Sequence, residues 1–168
     1  MDIACGVEQG ATVTIQLASG QVMDLVKRVA NQMGIDFDVF TEGVLSRECR
    51  VAIALICCRY PEPISLSDLA RAAGMGMHNF IRRFRREIGV TPSAFIRHFR
   101  ITRAMALLAN TDHTVQRIAV ETGYRDAASF SRAFLKLTGT QPLRYRRAHL
   151  AKEAQPISVP MPWVAPTL

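Results

Sequence analysis

Arg82 and Arg132 stand fifty residues apart, each on the polar side of a run whose aromatic residues recur at helical spacing. A guanidinium is planar and always charged. It donates two parallel hydrogen bonds that match either the O6 and N7 edge of guanine or two oxygens of a phosphate. At about 100° per residue, Met77, Phe80, Ile81, Phe84 and Ile88 fall on one side of a helix, and His78, Asn79, Arg82, Arg83 and Arg86 on the other. His78 and Arg82 lie one turn apart near its start. Around Arg132, the spacing turns Ala127, Phe130, Phe134 and Leu137 inward and Arg125, Ala128, Ser129, Arg132 and Lys136 outward. Ala128 offers only a methyl, which can touch a thymine methyl but cannot hydrogen-bond a base. The chemistry on offer is recognition of a polyanion with a readable edge. Asn79, Arg83, Arg86, Arg125, Ser129 and Lys136 are placed to meet its phosphates. Arg85 and Arg86 fit a solvated face equally well.

The elements that must hold these side chains come in two copies. Phe80, Arg82, Phe84, Gly89, Pro92 and Phe95 recur fifty residues on as Phe130, Arg132, Phe134, Gly139, Pro142 and Tyr145. Upstream, at an offset of forty-nine, Ser65, Leu69, Ala70 and Gly74 are echoed by Thr114, Ile118, Ala119 and Gly123. The one-residue difference falls between Gly74 and Phe80, where a turn enters a helix. One supersecondary unit used twice accounts for both offsets. Each copy reads as a short helix, a glycine turn and a longer helix, the longer ones over 77–88 and 126–138. Ser65 or Ser67 can cap the first short helix and Asp126 the second long one.

A short helix, a glycine turn and a second helix with a basic outer face make a helix-turn-helix. In that motif the second helix enters the major groove and its early residues meet base edges. Between the copies, Thr91 and Pro92 are a good N-cap and first position for a helix over 92–109. Those residues span about 27 Å at about 1.5 Å each. That is close to the ~34 Å of one DNA turn, so the spacing predicts two reading helices in successive major grooves on one face of the duplex. Arg103, on the connecting helix, suits a structural or phosphate-facing role.

Charge agrees with this chemistry. Between Ile64 and Arg147 there are fifteen basic side chains against five acidic ones, whereas residues 1–63 carry five against eight. One segment therefore holds the excess positive charge of a chain whose net charge is +7. A basic domain attracts nucleic acid first, although a membrane surface or an acidic partner answers to charge alone. Other classes find little support. Cys5, Cys49, Cys57 and Cys58 form no framework for disulfides or zinc and read as reduced, mostly buried thiols. His98, His113 and His149 read as surface or capping residues, with Asp112 and Glu121 capping or pairing locally. There is no nucleophile beside a base, no glycine-rich phosphate loop and no signal peptide. The longest apolar run, Val51 to Cys58, is too short to span a bilayer. No catalytic residue, metal or cofactor is expected. Phe80, Phe84, Phe130 and Phe134 are expected in the core rather than as base-stacking platforms.

The flanks are less informative. Residues 11–18 alternate like a strand, 21–33 have a helical stripe, and 35–43 read as a connection. Residues 44–60 have helical length and end at Pro61-Glu62-Pro63. The end of the chain carries four prolines in PISVPMPWVAP, which suits an extended tail with Trp163 as a possible anchor. The division expected is a small N-terminal extension over 1–43, a helical domain over 44–150 and a proline-rich tail over 151–168.

The stretches ISLSDLARAAGM, FIRRFRREIGVTPSAFIRHFRITRAMALLA and VQRIAVETGY…SFSRAFLKLTGTQPLRYRR resemble the DNA-binding domain of the AraC/XylS family of bacterial transcription regulators. The resemblance runs from about Arg50 to Arg147, with both turns, both glycine-to-proline segments and the linking helix in register. It implies a mainly α fold of seven helices, two helix-turn-helix units joined by a long linker helix, and control of promoters, often as activators. By position, the family's base-reading residues fall on His78, Ile81 and Arg82, then on Ala127, Ala128, Ser131 and Arg132. Alanines at 127 and 128 depart from the polar residues often found there.

The implied partners are double-stranded DNA and RNA polymerase, with no membrane, in the bacterial cytoplasm at the nucleoid. Most members carry a separate effector-binding domain, for which the residues before 44 leave no room. The chain thus resembles a short stand-alone member or the DNA-binding piece of a larger effector-responsive regulator, and residues 1–43 could dimerise it or dock a sensor. A DNA-repair regulator with a reactive cysteine is the enzyme alternative, to be decided by the environment of Cys49, Cys57 and Cys58.

Overall fold

The computed structural model describes residues 45–153, and these form seven helices without a strand. In chain order they are α1 (Arg47–Arg59), α2 (Leu66–Ala72), α3 (Met77–Ile88), α4 (Pro92–Asn110), α5 (Val115–Glu121), α6 (Ala127–Thr138) and α7 (Pro142–Glu153). The strand expected over 11–18, the helix over 21–33, the connection over 35–43 and the anchor Trp163 lie outside the described residues.

The repeat in the sequence is a repeat in the backbone. α2 and α5 are seven residues each, forty-nine apart; α3 and α6 are twelve each, fifty apart. Their ends are set by local chemistry. The hydroxyls of Ser65 and Thr114 accept from the backbone N–H three residues on, at 3.0 and 3.2 Å, and so cap α2 and α5. Gly74 and Gly123 take left-handed φ values of +65° and +82° in the turns that follow. Thr91 caps α4 and Pro92 opens it, as the sequence leads one to expect. α1 begins three residues later than 44, because Ser46 accepts from Cys49 N–H and becomes its cap. At the other end, α7 runs through Ala151, Lys152 and Glu153, all good helix formers.

Two cores result. Cys49, Ile53, Ile56, Leu69, Phe80, Phe84, Phe95 and Phe99 form the centre of the first. Ile118, Phe130, Phe134, Ala104, Leu108 and Ile101 form the second. α4 belongs to both: Phe95, Ile96 and Phe99 face the first core, Ile101, Ala104 and Leu108 the second. The phenylalanines of these two cores are fully buried, and Phe80–Phe84 and Phe130–Phe134 meet tilted at 5.6 Å while Phe95–Phe99 is stacked at 6.5 Å. Each such ring contributes roughly 1.5–3 kcal/mol through burial, and none is available to stack on a base. Met77 corrects the helical-stripe reading. It is 44% exposed, because it opens α3 ahead of the first buried turn at Phe80.

Candidate nucleic-acid interface

α3 is held at its inner side by Phe80, Phe84 and Ile88 and at its flank by charge. Arg83 Nη1 pairs with Glu48 of α1 at 3.2 Å, and Glu87 accepts from the Ser46 backbone N–H at 2.9 Å. Burial pushes the Glu87 carboxyl upward. Hydrogen bonds from Ser46 and Cys49 and the charge of Arg83 outweigh it and hold the group below the usual carboxylate value. Arg83 is thus half-buried and turned toward α1 rather than free on the outer face. Of the other candidates in this unit, His78, Asn79, Arg82 and Arg86 are exposed, while Ile81 is half-buried against the core. Arg82 Nη2 donates to Asn79 Oδ1 at 3.2 Å.

α6 starts with a stronger cap. Asp126 accepts from the Ser129 backbone N–H at 2.7 Å and from its hydroxyl at 3.1 Å. Those bonds hold the Asp126 carboxyl below its usual value, aided by Arg125 and Arg132. α3 has Gly76 in this place and no side-chain cap. The extra residue of the second turn, Arg125, is exposed. On the helix itself Ala128, Arg132 and Lys136 are exposed, and Ala127, Ser129 and Ser131 half-buried. Arg132 Nη2 donates to Ser129 Oγ at 3.3 Å, repeating the Arg82–Asn79 contact. Behind α6, Tyr124 meets Phe130 at 5.5 Å and Tyr145 of α7 meets Phe134 at 5.6 Å. Arg146 ties α7 to the end of α4 through the Leu108 and His113 carbonyls.

The arrangement therefore presents two equivalent helices, each with an outward arginine tethered to a short polar side chain three residues before it. Sequence reasoning missed Arg100. Its Nε donates to the Tyr60 carbonyl at 2.9 Å, Nη1 to Gly123 at 2.9 Å and Nη2 to Glu62 at 2.8 Å. The one available signal was an arginine between Phe99 and Ile101 with no carboxylate at helical spacing. Arg103 lies over the Tyr60 ring at 5.7 Å, a structural place. His113 and Arg117 both pair with Glu121, at 3.0 and 2.7 Å.

Burial pushes the thiols of Cys49 and Cys57 up to about 12, the reverse of what a reactive thiolate needs. Among the described residues no group of His, Cys, Asp or Glu could hold a metal ion, and no helix is long and apolar enough to cross a membrane.

Comparison with known proteins agrees with this geometry. A helix-turn-helix domain family model matches residues 69–148. An HTH-type transcriptional regulator of Haemophilus influenzae is 35% identical over 141 residues, which is 84% of this chain and 47% of that protein. The chain spans less than half the length of the curated relatives it matches. Among solved structures, the DNA-binding domain of the global transcriptional factor AdpA, in complex with a target DNA, superposes with a TM-score of 0.62 at 28% identity. That match covers 66% of this chain and all of that one. A regulator from Chromobacterium violaceum with an AraC-type DNA-binding domain gives 0.58 at 27% identity, over 65% of this chain and 94% of that one. The helical part of the chain has the seven-helix, two helix-turn-helix fold of an AraC-type DNA-binding domain.

Proposed function

We propose that the chain is a sequence-specific, double-stranded-DNA-binding transcription regulator that sets α3 and α6 into successive major grooves. The observation that carries this reading is the matched display of Arg82 and Arg132 on equivalent faces of two helices anchored to one connecting helix. The likeness to a DNA-binding domain in complex with a target DNA supports DNA as the partner. His78, Ile81 and Arg82 read bases from α3, and Ala128, Ser131 and Arg132 from α6. Asn79, Arg83, Arg86, Arg125, Ser129 and Lys136 meet phosphates, with Arg83 the weakest of these because Glu48 already neutralises it. α4 is nineteen residues long and spans about 28 Å, compatible with one DNA turn of ~34 Å.

On this reading the chain is a binder and not an enzyme. It works in the cytoplasm on the nucleoid, with RNA polymerase as its second partner, and residues 1–43 are where a second copy or a sensor joins. The test is selection of bound duplexes from a random pool. Two short elements about one helical turn apart are expected. Affinity should fall with salt by about 0.9 log unit per log unit for each phosphate neutralised. Equal affinity for all sequences, or preference for single strands, would sink the reading.

A further inference from the structure

The helices of each unit pack on one another or on α4, and the units keep separate cores. Phe99 belongs to the first core and Ile101 to the second, so Arg100 stands at the changeover. From there one guanidinium holds both units. Two of its nitrogens donate to the Tyr60 and Glu62 carbonyls, where the chain leaves α1, and the third donates to the Gly123 carbonyl in the turn before α6. The same group lies over the Tyr124 ring at 5.9 Å. The backbones are also pressed together here: a Cβ on Gly123 would stand 2.6 Å from the Tyr60 carbonyl oxygen. Beside this point the units are parted by a cleft of about 730 Å³, whose walls include Pro61, Ile64, Ile96 and Val120. A rigid planar fork on three carbonyls fixes orientation as well as distance, which a single flexible contact cannot do.

We propose that Arg100 is a positioning residue for two-element binding. It locks the second unit against rocking about α4, so that the chain discriminates between DNA sites by the distance between their two elements. This rests on the reading above, in which both α3 and α6 enter DNA. Two rigidly joined modules engage together only when the site geometry matches theirs. A loose joint tolerates misfit at lower peak affinity.

Two measurements test it. The first uses the free protein: residual dipolar couplings of α3 and α6 amides should fit one alignment tensor in the wild-type chain and two in Arg100→Ala. The second uses duplexes selected by the wild-type chain, with one or two base pairs added or removed between the elements. The wild type should lose about tenfold or more in affinity per altered base pair, and Arg100→Ala less than about threefold. A variant that keeps one tensor, or that keeps the wild-type spacing penalty, overturns the proposal while leaving the two-groove reading intact. A wild-type chain indifferent to spacing overturns the two-groove reading and this proposal with it. Arg100→Lys keeps the charge without the fork and serves if the alanine variant does not fold. Collapse of both would make Arg100 an ordinary folding residue and would also overturn the proposal.

Discussion

Arg82 Nη2 reaches back to Asn79 Oδ1 at 3.2 Å across one turn of α3. Arg132 makes the corresponding reach to Ser129 Oγ at 3.3 Å on α6. Such exposed pairs are worth only about 0.2–0.5 kcal/mol, so a base edge can displace them. What the tether does is narrow the conformations each long side chain must give up on binding.

Arg82→Ala should cost about 1–3 kcal/mol on a selected site and relax preference at one base pair, with a thermal midpoint close to that of the wild type. Arg132→Ala should act in the same sense but less, because its neighbours Ala127 and Ala128 supply methyls and no hydrogen bonds. Binding titrations on a panel of single-base variants check both. Equal losses on every sequence would mean that these arginines touch phosphates alone.

Gly74 and Gly123 separate backbone conformation from crowding. Both have positive φ, but a Cβ on Gly74 meets nothing within 4 Å, whereas on Gly123 it meets the Tyr60 carbonyl and Arg100. Gly74→Ala should cost about 1–2 kcal/mol from the left-handed backbone alone. Gly123→Ala should cost clearly more. Chemical denaturation of the two variants gives the comparison, and equal costs would show that the contact at Gly123 relaxes freely.

Asp126→Ala removes the side-chain cap of α6 and should lower stability by about 0.5–2 kcal/mol, measured without DNA. Asp126→Asn should restore most of the loss, since an amide oxygen also accepts from the Ser129 N–H.

Acid should weaken the first unit through Glu87. Its folded value lies below the ordinary 4.5, so its contribution is complete above that pH and is lost as pH falls through the lowered folded value. Glu87→Gln should therefore be less stable than the wild type at neutral pH and lose less on acidification. Thermal midpoints at neutral pH and below pH 4.5 check this. Parallel curves for the two proteins would remove Glu87 as a source of acid sensitivity.

The helical plan was legible because its signals are local. The fifty- and forty-nine-residue echoes, the caps at Ser65, Thr91 and Asp126, and the glycines at 74 and 123 each act within a few residues of themselves. Periodicity also found the buried faces of α3 and α6. It failed at Met77, where a helix end lies beyond the reach of the core. It treated Arg83 as outward because Glu48, its partner, is thirty-five residues away on another helix. Arg100 was invisible for a deeper reason. Its partners are backbone carbonyls twenty-three to forty residues distant, and a carbonyl belongs to every residue, so no residue type announces the bond.

A helix that serves two cores cannot change length gradually. One residue inserted near the middle of α4 would advance the far unit by about 1.5 Å and swing it by about 100°. That would turn Ile101, Ala104 and Leu108 with the second core around them, and carry α6 away from the side occupied by α3. Whole-turn changes alone would restore the angle, and they would still misplace the guanidinium lock. A chain built this way can therefore absorb change in its outward side chains and in its loops, but not in the length of the stretch that joins its two halves.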